Sequence, residues 1–197
     1  MSDTKEHIMK ISLNLFLQKS FKEVTMQDIV KKTGMSKGAF YHYFESKEQF
    51  FLEVVNYFKS ALVVDYSKLS KDSLYQFYHE YIKSLQDEIM YSFSPKADSN
   101  FNLNYYLLIF DAMKLFPSFR EEMNTYFHDE QKFWEKIIHI AKDKGEITSS
   151  MPEQQIASIF IHMSDGVVMR SILKDVTEDT ANTLLNLWDG LYTELRT

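Results

Sequence analysis

Cysteine is absent from this 197-residue chain. That removes disulfides, thiolate zinc sites and cysteine-based redox or nucleophilic chemistry, and it fits a reducing compartment. Glycine and proline are scarce, at five and three residues, and stretches that alternate apolar with polar are few, which argues against β-sheet. No apolar run approaches the roughly 18 residues of a membrane span, and the opening MSDTKEHIMK lacks the basic-then-apolar order of a secretory signal. A cytoplasmic protein is expected. Catalytic signatures are missing as well: there is no GxSxG, P-loop, GxGxxG or Glu-x-x-His. The six histidines, at 7, 42, 79, 128, 139 and 162, include no pair four residues apart. No metal site and no cofactor are expected, and the chain does not read as an enzyme.

What the chain does contain is apolar and helix-forming. Its 45% hydrophobic content is enough for a substantial core, and Leu, Ile, Lys, Glu, Phe and Met recur at helical spacing. The expected fold is all-α with about nine helices. The first, about 5–20, carries Ile8, Ile11, Leu15 and Phe16 on one face.

The stretch TMQDIVKKTGMSKGAFYHYFESK, residues 25–47, is punctuated as two short helices joined by a turn. Thr25 with Asp28 three residues on matches a helix-starting cap, Gly34 suits a left-handed helix end, and Ser36 can cap a second helix. That arrangement describes a helix-turn-helix. At about 100° per residue, Lys37, Gly38 and Tyr41 face outward and Ala39, Phe40 and Tyr43 the other way. Lys37 offers charge to phosphate or guanine, Gly38 permits close backbone approach, and Tyr41 supplies a hydroxyl and a flat apolar face. Phe40 and Phe44 are expected to anchor the unit. His42 and Tyr43 sit where the helix ends, near a phosphate. Ser46 with Gln49 marks another cap, which puts Lys47 in the first turn of a fourth helix as a phosphate clamp.

The residues from Lys5 to Lys47, with Phe16, Phe21, Thr25, Asp28, Ile29, Thr33, Gly34, Ser36, Lys37, Gly38, Phe40, Tyr41, Tyr43, Phe44, Ser46 and Lys47 in register, resemble the DNA-binding domain of TetR-family transcriptional regulators. The resemblance covers about the first quarter of the chain. It implies a dimeric repressor whose second short helix enters the major groove of operator DNA and which leaves on binding a small molecule. It divides the chain into a three-helix DNA-binding domain, 1–48, and a larger helical ligand-binding and dimerisation domain, 49–197. Ser20 departs from the glycine usual in the family, and Lys31 and Lys32 replace commoner small residues.

Charge follows the same division. Residues 1–50 carry eight lysines against six Asp and Glu, a net +2, leaving 14 basic and 22 acidic residues, a net −8, for the remainder. Nucleic acid belongs to the amino-terminal end. A fourth helix is expected from Ser46 to about Tyr66 as the lever of a switch, and a fifth over about 73–90. The Ser/Pro/Asn-containing segment SFSPKADSN, 92–100, is expected to be a mobile loop. A sixth helix spans about 101–115 and a seventh runs from Ser118 to Lys144, stopping at Gly145.

Aromatics crowd helices five to seven. Singly they read as core, but clustered Tyr, Met and Trp suit a cavity for a small apolar or aromatic effector. Tyr78, Tyr106, Phe110, Met113, Phe127 and Trp134 are the candidate lining, with His162 as a further contact. After Pro152 one stripe holds Ile156, Ile159, Phe160, Met163 and Val167, and a second holds Ala157, Ile161, Val168 and Ile172. The last helix, capped by Thr177, repeats this pattern with Leu184, Leu187, Leu191 and Leu195 beside Leu185, Trp188 and Tyr192. A single core needs one face, so these two helices are expected to form a homodimer interface. The rival reading is a helical small-molecule-binding protein or enzyme without a DNA role; Asp111 and Asp165, set among apolar residues, are as open to bonding a backbone group or a cationic ligand as to catalysis.

Overall fold

The computed structural model describes residues 3–60, 64–92, 101–174 and 179–196. Helices follow one another as α1 (Asp3–Gln18), α2 (Met26–Thr33), α3 (Lys37–Tyr43), α4 (Lys47–Ser60), α5 (Leu74–Ser92), α6 (Phe101–Leu115), α7 (Pro117–Asp143), α8 (Glu153–Leu173) and α9 (Thr180–Leu195), with one 3-10 turn at Tyr66–Lys68. No strand occurs among the described residues, and none of their helices is long and apolar enough to cross a membrane. Two compact units result, one of residues 1–63 and 93–122, the other of 64–92 and 123–197.

Phenylalanine builds the first unit. Phe16, Phe21, Phe40, Phe44, Phe50 and Phe51 are all buried. The Phe16 and Phe21 rings lie 4.9 and 4.7 Å from Phe51, and those of Phe40 and Phe44 lie 5.0 and 4.6 Å from Phe50. Large rings let four short helices fill a core, each contributing about 1.5–3 kcal/mol of apolar burial. α1 stops two residues before the expected end because Ser20 turns into a local box: its N–H and hydroxyl both donate to Glu23, at 2.9 and 2.8 Å. The serine thus makes its own bend through Glu23. α6 packs on α1 and α4 within this unit, and Lys59 pairs with Glu122.

The second unit assembles α5, the rest of α7, α8 and α9 around Trp134, Phe160, Trp188, Phe77, Tyr78 and Tyr81. Trp188 Nε1 donates to the Phe160 carbonyl at 3.1 Å, which ties α9 to α8. α7 is followed by Gly145, whose φ of +70° is the left-handed conformation expected there, and Glu146 N–H bonds back to the Ala141 carbonyl at 2.8 Å. Glu146 then caps α5 from a distance: its carboxylate accepts from the N–H groups of Leu74 and Tyr75, both at 3.0 Å, and from the hydroxyls of Ser73 and Tyr192.

Some expected boundaries move. α4 does not continue to Tyr66, since Val64 and Asp65 are not helical and Asp65 instead takes the Ser67 N–H and hydroxyl to start a separate turn. Pro117 opens α7 as its first residue, where a missing N–H is harmless. The expected mobile loop beyond Ser92 and the cap at Thr177 lie outside the described residues.

Candidate nucleic-acid interface

The α2–turn–α3 segment is secured end to end by the residues its sequence advertises. Thr25 Oγ1 accepts from Asp28 N–H at 3.1 Å while Asp28 accepts from Thr25 N–H at 2.9 Å, a reciprocal capping box. Asp28 also accepts from the Thr25 hydroxyl at 2.7 Å, and that bond, followed by the one from the Thr25 N–H, holds its carboxyl below the usual range. Gly34 ends α2 at φ +69°, and Ser36 Oγ accepts from Ala39 N–H at 3.1 Å to start α3. Phe40 and Phe44 point inward with essentially no exposure, so α3 is pinned by one face and presents the other.

That outward face carries Lys37, Gly38, Ala39, Tyr41, His42 and Tyr43. Tyr41 and Tyr43 are 48% and 53% exposed. The inward placement expected for Ala39 and Tyr43 therefore fails: α3 ends at Tyr43, and Phe44, turning extended at φ −134°, fills the inner position in its place. A Cβ on Gly38 would meet nothing of this chain within 4 Å, so nothing inside the protein requires glycine there. Lys5 pairs with Glu53 and Lys19 with Asp28. Lys10, Lys22, Lys31, Lys32 and Lys37 make no ion pair among the described residues, and the last three lie exposed on α2 and α3.

Lys47, expected as a phosphate clamp, has partners within the chain. Its ammonium donates to the Phe21 carbonyl at 2.6 Å and lies 4.2 Å from the Phe21 ring centroid; burial lowers its pKa, against Glu48 and Asp28, which raise it. The N–H of the same Phe21 donates to Asp111 on α6 at 3.2 Å. Both polar groups of one turn residue are thus met by side chains from elsewhere, and of the roles open to Asp111 the bond to a backbone group is the one present.

The candidate effector residues divide between the units. Tyr106, Phe110 and Met113 lie in the first, where Phe110 is exposed and its ring is 6.0 Å from that of Tyr106. Tyr78, Phe127, Trp134 and His162 lie in the second. Tyr78 and Trp134 are core, Tyr78 donating its hydroxyl to Asp189 at 2.5 Å and Trp134 stacking on Phe160 at 5.0 Å; Phe127 and His162 are exposed. An open depression of about 390 Å³ is lined by Ser73, Tyr75, Gln76, Glu146, Tyr192 and Arg196, none of them in the candidate set. No group of three His, Asp or Glu residues able to hold a metal occurs among the described residues.

Sequence reasoning missed Glu130. It lies 9% exposed on α7, accepting from the hydroxyls of Tyr66 at 2.9 Å and Tyr81 at 3.4 Å. Burial raises its pKa, and the Asp165 charge adds to the rise against the two phenol hydrogen bonds. Burial likewise raises Asp165 on α8 and the Tyr66 and Tyr81 phenols. The available signal was a lone glutamate at helical spacing between Tyr126 and Trp134.

Residues 8–54 match the model for bacterial regulatory proteins of the tetR family. The chain is 25% identical over 184 residues to the uncharacterized HTH-type transcriptional regulator YfiR of Bacillus subtilis, covering 87% of this chain and 85% of that one. It is 27% identical over 152 residues to IcaR of Staphylococcus epidermidis, a negative transcriptional regulator of the biofilm operon icaADBC, covering 72% and 75% of the two chains. Among solved structures, a TetR transcription regulator from Haloarcula marismortui superposes with a TM-score of 0.72 over 99% of both chains at 16% identity, a likeness of fold.

Proposed function

Because this chain belongs to the TetR family of bacterial transcriptional regulators, we propose that it is a dimeric repressor that a small molecule releases from operator DNA. Regulators of this family bind operator DNA as dimers. The observation that carries the reading is α3: a helix capped at Ser36, fastened from behind by Phe40, and offering Lys37, Gly38, Tyr41, His42 and Tyr43 on a face without acidic side chains. Two such helices one duplex turn apart, about 34–36 Å, would occupy successive major grooves. Repression is also what the name of the IcaR relative states of that protein.

In this proposal residues 1–48 read DNA and 49–197 bind effector and dimerise, and the protein works in the cytoplasm. Lys37 meets a phosphate or guanine, and Tyr41 and Tyr43 meet thymine methyls or phosphate. Thr25 and Ser36 bring helix starts to the backbone, and Lys47 braces the turn that carries them. α8 and α9 supply the dimer interface; Met169, Leu173 and Leu187 stand outward on them, Leu173 at 70% exposure. The effector is a small apolar or aromatic compound that binds the DNA-free form more tightly, since only such a difference shifts the population.

The test is binding of the full chain to DNA from just upstream of its own gene across a salt series, with Tyr41→Ala as control. Tight binding that weakens steeply with salt and is lost in Tyr41→Ala is expected. Binding indifferent to Tyr41 overturns the assignment of α3.

A further inference from the structure

Glu130 is a buried carboxyl whose partners are two phenols, and no cation of the described chain pairs with it. Burying a carboxylate without an opposite charge is costly, so a fold that keeps one there forgoes stability. Asp165 adds a second negative charge to the same field. Trp134, one turn along α7 and 5.7 Å ring to ring from Tyr81, has a buried indole N–H with no acceptor among the described residues. The interior around Glu130 is thus left unsatisfied in two ways, by missing positive charge and by a missing acceptor.

Tyr66 indicates the shape of what would complete it. Its ring lies 4.7 Å from Phe133 and within 8° of parallel to it, and its hydroxyl reaches Glu130. Tyr66 is carried on a 3-10 turn rather than on a long helix, and Phe133, 42% exposed, connects the stack to solvent. A flat ring with a donor at one end, laid on a phenylalanine and pointed at a carboxylate, is what the chain itself places there.

We propose that the place filled by the Tyr66 ring is the seat of the effector, and that the effector is a flat aromatic cation which displaces Tyr66, stacks on Phe133 and donates charged N–H groups to Glu130. Amidinium and protonated arylamine groups have this chemistry, because a cation supplies both the missing charge and stronger hydrogen bonds than a phenol. A ring nitrogen or ether oxygen on the same compound would satisfy Trp134.

The inference rests on the ligand-responsive reading above, and its test is separable from it. Benzamidine, neutral benzamide and anionic benzoate share one shape and differ in charge. Titrated into the full wild-type chain by calorimetry, benzamidine is expected to bind at least about tenfold more tightly than benzamide, the worth of one charge-assisted hydrogen bond, and benzoate more weakly still. Glu130→Gln, which preserves size, is expected to abolish that preference. Tyr66→Ala, which vacates the seat, is expected to tighten benzamidine binding; should that variant not fold, wild type against Glu130→Gln decides alone. A preference that survives Glu130→Gln, equal binding of the three compounds, or no saturation at millimolar benzamidine overturns the proposal. Operator binding measured without any probe tests the regulator reading independently, so its survival beside a failed titration removes the effector class and nothing else.

Discussion

Glu130 sets a measurable cost on neutral pH. Its folded-state pKa lies above the ordinary glutamate value of about 4.3, so the folded chain holds this proton to higher pH than the unfolded chain does. The penalty is absent below about pH 4, grows as pH rises toward the raised value and is complete above it. Glu130→Gln cannot ionise and keeps an acceptor for Tyr66. It is expected to raise Tm by about 2–4 °C at pH 8 and to leave it unchanged near pH 4, read by thermal unfolding across pH. On α3, Tyr41→Ala and Lys37→Ala are each expected to weaken operator binding about tenfold or more in a mobility-shift titration while the dimer stays intact by sedimentation. Single residues were legible where helical periodicity or capping chemistry is strong, as at Thr25, Gly34, Ser36, Phe40 and Phe44. They were illegible where a side chain's partner is remote in sequence. Nothing near Lys47 announces Phe21, and nothing near Glu130 announces Tyr66.

At the scale of elements, the start of α5 depends on a residue more than seventy positions away. Burial would raise the Glu146 carboxyl, but the N–H groups of Tyr75 and Leu74 and the hydroxyls of Ser73 and Tyr192 outweigh it, so its pKa is lowered. Such a group contributes stability above about pH 4.3, lost as pH falls through its lower folded value. Glu146→Ala is expected to cost about 0.5–2 kcal/mol at pH 7, typical of a lost helix cap, in denaturant unfolding, with the difference from wild type shrinking below about pH 4. Helix existence could be read from periodicity throughout, but helix ends could not always. Apolar spacing persists as far as Tyr66, whereas Asp65 bonds Ser67 and starts a separate turn. Both stripes of α9 were visible too, yet only Leu184, Trp188 and Leu195 among them are buried in the unit's core; packing against α5 and α8 chooses between faces, and a lone sequence does not contain it.

For the whole molecule, the net +2 of residues 1–50 within a chain of net −6 makes affinity for DNA depend on a few placed charges. Releasing one phosphate counterion contributes about 0.9 to the salt slope. In a dimer, Lys37→Ala is therefore expected to flatten a plot of log affinity against log salt by about 1.8. Lys47→Gln is expected to lower Tm and leave that slope unchanged, because its ammonium is engaged with Phe21. The amino-terminal family resemblance and the helical class were both legible at this scale, since they rest on local patterns; the grouping of α6 with the reading helices was not.

That grouping bears on portability. The motif that identifies the reading head ends near residue 54, yet Phe21 N–H is held by Asp111 and α1 rests on α6. A head cut out after α4 would expose an apolar flank and orphan a backbone donor. Grafted onto a foreign regulator, it would need a carboxylate waiting at the corresponding place on the host, and swaps that carry 93–122 along with 1–63 should succeed where shorter ones precipitate.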